Sequence, residues 1–117
     1  MNQLGYPPWV ILHIPHDSSL IPDEVRSQFL LSDAELESEL WLMTDHFTHA
    51  IFGEPLGAAK VVRSPVSRLV VDVERFAEDA QEPMAARGMG AVYESTSHLK
   101  PLRRRLSPQE REVLMQT

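Results

Sequence analysis

The stretch formed by Leu69, Val70, Val71, Asp72 and Val73 constrains the fold most. It is apolar on both sides of its backbone, rich in β-branched residues and too short for a helix. Such a run reads as a strand in a sheet covered on both faces, because a half-exposed strand would alternate polar and apolar residues. A second run, Trp9, Val10, Ile11, Leu12, His13 and Ile14, stops at Pro15 and reads the same way. Gly53, Pro55 and Gly57 punctuate the chain, and residues 58–62 give another strand.

Helical spacing fills the space between strands. Pro22 suits a first helical position, with Val25, Phe29 and Leu30 at helical intervals after it. Ser32 and Glu35 form a capping-box pattern. Leu36, Leu40, Met43, Phe47 and Ile51 then predict one long amphipathic helix to about Phe52. Gly88 and Gly90 mark a long loop over residues 75–105 of a kind that often carries function. Ser107, Pro108 and Glu110 open a last helix. Strand, helices, strand, strand indicates an α/β layered fold. Three strands with helices on their faces call for more chain to cover both sides, so residues 1–117 read as a single α/β domain that forms the N-terminal part of a longer one.

Composition narrows the chemistry. There is no cysteine, so disulfides, thiolate metal sites and cysteine nucleophiles are excluded, and any metal must be held by imidazole and carboxylate. A formal net charge of −6 argues against nucleic acid as a partner. Lys100, Arg103, Arg104 and Arg105 are a local exception, read as the solvated approach to the last helix or, second, as an anion-binding patch. No apolar run reaches the roughly 18 residues of a membrane span, and the start lacks a signal peptide, so the expectation is a cytoplasmic protein with no membrane partner.

Several residues are candidates for chemistry. His13 and His16 flank the end of the first predicted strand, where open α/β sheets place their ligands. His13 reads first as a core residue. His16, in the polar loop with Asp17, Ser18 and Ser19, is the stronger candidate. Asp45 and His49 fall one helical turn apart, with His46 further round, which suits either a divalent cation or a solvent-facing ion pair. Asp72 interrupts an apolar run and is expected to pair with Arg68 or Arg75. Either arginine is alternatively placed to hold a substrate carboxylate in bidentate fashion.

Taken in order, these residues resemble the N-formylglutamate amidohydrolase family. The segments are His13-Ile14-Pro15-His16-Asp17-Ser18-Ser19 with Ile21-Pro22, then Thr44-Asp45, then residues 67–75, then residues 88–93 with the final basic helix. The resemblance implies a partial three-layer α/β/α fold of the zinc-carboxypeptidase and aspartoacylase type, a mixed sheet with flanking helices. It implies hydrolysis of a small-molecule N-acyl (formyl) amino acid, in histidine degradation, by water activated on one zinc ion. By the same resemblance His16 and Asp45 are metal ligands, Arg68 and Arg75 are catalytic and substrate-binding, and Ser18 is substrate-binding. The third ligand, a histidine, and the general base have no match in this chain, and the context of His98 does not suit it. Relatives usually carry asparagine where this chain has Glu74, a departure that bears on the substrate. The chain by itself is therefore expected to be inactive, with a homo-oligomer or a complementing C-terminal segment as possible partners. The alternative is a noncatalytic binding or assembly module that retains the front half of the fold.

Overall fold

The structure, a computed structural model, describes residues 6–117. Its regular elements are strand β1 (Leu12–Ile14), helices α1 (Asp23–Arg26) and α2 (Asp33–Met43), strand β2 (Val61–Arg63) and helix α3 (Pro108–Met115). β1 and β2 pair in parallel, with Leu12 opposite Val61, His13 opposite Val62 and Ile14 opposite Arg63. Helices with a two-stranded parallel sheet agree with the α/β class. Residues 1–5, part of the 1–117 domain reading, lie outside the described residues.

Both capping boxes form as the sequence predicts. The Ser32 hydroxyl accepts from the Glu35 amide at 3.2 Å while Glu35 accepts from the Ser32 amide at 2.9 Å. Ser107 and Glu110 repeat the exchange at 3.1 and 3.0 Å. Each box satisfies amides that the first helical turn leaves without partners.

Four predicted elements differ from the structure. The strand expected over residues 69–73 is not a strand: residues 68–70 form a turn. Leu69, Val70, Val71 and Asp72 are nonetheless all buried. The backbone groups find other partners. Arg103 donates to the carbonyls of Leu69 at 2.6 Å and Val70 at 3.2 Å, and the Asp72 amide donates to Ala91 O at 2.7 Å. A guanidinium and a loop thus replace a β-ladder, meeting the same demand for buried hydrogen bonding. Arg103 also lies 4.6 Å over the Phe29 ring, so it is a buried structural cation rather than part of a solvated basic approach. Of its neighbours, Arg104 pairs with Glu110 at 2.6 Å.

The long helix ends at Met43 instead of Phe52. Thr44 turns to extended backbone (φ −108°, ψ 132°), Phe47 adopts φ 66°, and a π-helical turn occupies His49–Gly53. The predicted apolar face holds for Leu36, Leu40 and Met43, which meet the core. Phe47 and Ile51 are exposed. The break is fixed by a tertiary bond, from the Asp45 amide to His16 O at 2.8 Å, which draws the chain off the helix axis to the end of β1. The first strand is likewise shorter than residues 9–14, with Trp9 and Ile11 exposed. The second begins at Val61, after a 3-10 turn over Ala58–Lys60.

The core joins Val25 and Phe29 from the α1 region, Leu36 of α2 and Leu114 of α3 to residues 66–71 and 89–102. Tyr93, Leu69 and Leu102 are fully enclosed. Burial of such a side chain stabilises by about 1.5–3 kcal/mol. This core carries the buried segment 69–72 beneath the end of β1, and that placement builds the site. Among the described residues, no helix is long and apolar enough to cross a membrane.

Candidate active site

β1 delivers its following loop, with His16 and Asp17, onto the buried segment 69–72. Asp17 locks the loop in place, accepting from the His49 amide at 3.0 Å and from Arg63 at 3.2 Å. His16 itself is buried. Its Nε2 lies 2.7 Å from Asp72 Oδ1. An ionised carboxylate only accepts, so Nε2 carries the proton, and in the neutral ring the lone pair falls on Nδ1.

Asp72 is the hub of the site. Its side chain is wholly enclosed, and it accepts from Tyr93 Oη at 2.5 Å, Arg68 at 3.1 Å and the Glu74 amide at 3.0 Å, besides His16. Burial by itself would raise the Asp72 pKa, but the hydrogen bonds from His16, Tyr93 and the Glu74 amide outweigh it and hold the carboxyl well below the usual range. Burial, with the hydrogen bond to Asp72, pushes the Tyr93 phenol up to about 12. Burial would lower the Arg68 pKa, yet Tyr93 and Asp72 raise it on balance. The pairing of Asp72 with an arginine, expected from the sequence, is thus found with Arg68, while Arg75 Nε stands 3.9 Å away.

Nδ1 of His16 faces two carboxylates, Asp45 Oδ2 at 3.9 Å and Glu74 Oε2 at 3.8 Å. Both separations exceed a hydrogen bond. Asp45 and Glu74 thus lie on the Nδ1 side of His16 without a hydrogen bond to it. A metal-ligating histidine usually donates its second nitrogen to a carboxylate, and Asp72 fills that place, so the pair of His16 and Asp45 suits a divalent metal. The pair is not a full set: among the described residues, no group of three or more His, Cys, Asp or Glu side chains that could hold a metal ion is present.

Arg75 donates its Nε to Met89 O at 3.2 Å, and among the described residues its two terminal nitrogens have no hydrogen-bond partner. Arg68 is held at Nε by Tyr93 at 3.1 Å and at one terminal nitrogen by Asp72. Ser18 uses its hydroxyl in the turn, donating to Pro65 O at 3.3 Å and accepting from the Leu20 amide at 3.2 Å.

The other histidines stay apart from this cluster. Asp45 and His49 do not share a helix face, because α2 has already ended, so that expected pairing is corrected. His46 stacks 4.3 Å from Trp41 and contacts Trp41 O at 2.9 Å. His13 and His98 are exposed. A concavity of about 880 Å³ between Ser19, Leu40, Trp41 and His46 contains none of the charged network. The network is the better guide to function, since converging buried polar groups with displaced pKa values mark chemistry more specifically than size does.

Residues 9–117 match the sequence model of the N-formylglutamate amidohydrolase family. The chain belongs to the N-formylglutamate amidohydrolase family. No curated protein and no solved structure matches it. Family membership identifies the chain with hydrolases of the amidohydrolase type. Sequence reasoning missed Tyr93 as a part of this family member's site and missed that Asp72 binds His16. The one signal for Asp72 was a charge inside an apolar run; Tyr93 lay in the segment 88–93 of the resemblance, which gave it no role, and its contact with Asp72 spans 21 residues.

Proposed function

We propose that this chain provides the front part of a zinc-dependent amidohydrolase site that cleaves an N-acyl amino acid, with N-formylglutamate-type amides as the substrate class. The observation that carries the reading is His16: Nε2 is fixed on Asp72 while Nδ1, with no hydrogen bond among the described residues, is turned to Asp45 and Glu74. In this reading His16 Nδ1 and Asp45 hold the metal. When bound, zinc lowers the pKa of its water to about 7 and polarises an amide carbonyl.

The chain's own residues do the remaining work that is placed here. Asp72 keeps His16 in the tautomer that offers Nδ1. The free fork of Arg75 suits a substrate carboxylate, and Arg68, anchored by Tyr93 and Asp72, supplies positive charge for a developing oxyanion. Ser18 borders the substrate from the β1 loop. The fold is the front of a three-layer α/β/α hydrolase of zinc-carboxypeptidase type, and residues 1–117 form the N-terminal part of a longer domain. Its further residues, or a second subunit, bring the third ligand and the general base, in a cytoplasmic setting. With two ligands, the chain alone binds zinc weakly and turns over no formylglutamate.

A second reading, a noncatalytic binding or assembly module, draws on the exposed apolar side chains beside the sheet, with Trp9 79% and Ile11 71% exposed. Calorimetric zinc titration of the chain beside His16→Ala and Asp45→Ala separates the two. Binding that weakens in both variants supports the metal site. No binding, or binding indifferent to both changes, removes it and leaves the module.

A further inference from the structure

The basic cluster of Lys100, Arg103, Arg104 and Arg105 divides in the fold. Arg104 is neutralised by Glu110 at 2.6 Å, and Arg111, on the same concavity, reaches Asp79 at 3.5 Å. Arg103 and Arg105 are left. Arg103 is 5% exposed, and a charge buried so deeply normally meets a carboxylate. Its terminal nitrogens meet only the neutral carbonyls of Leu69 and Val70, and its Nε has no hydrogen-bond partner among the described residues. Burial pulls the guanidinium down to about 10, opposed by the field of Glu94. Arg105 is exposed and, among the described residues, has neither an ion pair nor a hydrogen bond.

Together with Glu94, these two arginines line two concavities of about 300 and 380 Å³. Glu94 is exposed and forms no ion pair among the described residues, so two unneutralised cations share these walls with one carboxylate. None of His16, Asp45, Arg68, Asp72 and Arg75 lines either concavity.

We propose that Arg103 and Arg105 form a site for a phosphate-class oxyanion, separate from the His16 cluster. A buried guanidinium short of a partner leaves both a hydrogen bond and a charge unmet, and one oxyanion supplies both. Two guanidiniums at one concavity suit a group carrying roughly −1.5 to −2, as a phosphate does near neutral pH, better than they suit a single carboxylate. Glu94 opposes the ligand. Removing its charge therefore strengthens the site, a response whose sign a general salt effect does not share.

The test is titration of the 117-residue chain with sodium phosphate, read at the arginine Nε–H signals in proton–nitrogen correlation spectra. These signals respond to a new bond and to the field of a nearby charge. Phosphate should move the Arg103 signal saturably, while sodium chloride at equal ionic strength should not. Arg105→Gln should weaken the apparent affinity at least about fivefold, and Glu94→Gln should tighten it by a similar factor. Both side chains are exposed and make no hydrogen bond among the described residues, so each variant should keep the parent's melting temperature in chloride. Glycerol phosphate separates two sources of the same chemistry: tighter binding than phosphate points to a phosphate monoester, and equal or weaker binding to the free ion. An Arg103 signal that phosphate leaves unmoved, or that chloride moves equally, overturns the proposal. A saturable shift that both variants leave unchanged also overturns it, because the ion then sits elsewhere. Acetate binding as tightly as phosphate overturns the phosphate class.

Discussion

His16 and Asp72, 56 residues apart in sequence, are joined by a 2.7 Å hydrogen bond between two buried side chains. The bond ties the loop after β1 to the buried segment 69–72. It also decides which imidazole nitrogen is open for chemistry. One contact thereby links the stability of the core to the readiness of the site.

Replacing Asp72 by Asn should be costly. It removes a fully enclosed charge that balances Arg68 and accepts from His16 and Tyr93, leaving donors unmatched. Breaking one side of such a buried pair typically costs about 3–5 kcal/mol. The depressed pKa adds a pH signature. A carboxyl held low in the folded state contributes stability that is present above the ordinary value of about 3.9 and is lost as pH falls toward the folded value. Urea unfolding from pH 6 to pH 2 should show the parent losing stability in acid and Asp72→Asn losing less; parallel pH curves would show that Asp72 is not ionised in the fold.

Tyr93→Phe tests the other side of the hub. The hydroxyl donates to Asp72 at 2.5 Å and accepts from Arg68 Nε at 3.1 Å. Its loss leaves a buried acceptor and donor short of a partner, at about 1–3 kcal/mol. The phenol pKa is raised from about 10 to about 12, so its contribution is complete below pH 10 and disappears as pH rises through 12. The parent should therefore weaken between these values and the Phe variant should not share that loss. An unchanged urea midpoint at pH 7 would remove Tyr93 from the network.

Two glycines in left-handed backbone should respond unequally to alanine. Gly88 has φ 71°, and a methyl group there would meet Ser95 Oγ at 2.2 Å and its Cβ at 2.8 Å. Gly57 has φ 95° with nothing within 4 Å. Both substitutions carry conformational strain of about 1–3 kcal/mol, and only Gly88→Ala adds a collision. Gly88→Ala should lower the melting temperature by more than Gly57→Ala; the reverse order would mean that the Ser95 side chain moves aside freely.

The sequence by itself determined the local features: both capping boxes, the apolar face of Leu36, Leu40 and Met43, the buried character of residues 69–72, the need of Asp72 for a cation, and the family. Each depends on neighbours within a few residues, or on the order of short segments, and both are written along the chain. Tertiary structure decided the rest. The capped helix stops at Met43 because the Asp45 amide bonds His16 O, a partner that helical periodicity does not reveal. The apolar run at residues 69–72 is not a strand: residues 68–70 turn, and Arg103, 33 to 34 residues away, takes the carbonyls of Leu69 and Val70, whereas hydrophobicity alone states that a segment is buried without stating what receives its hydrogen bonds. Likewise His16, Asp45, Asp72, Glu74 and Tyr93 become one site only through contacts across dozens of residues. Charges and hydrogen bonds act through space, so their partners are fixed by packing rather than by spacing in the sequence.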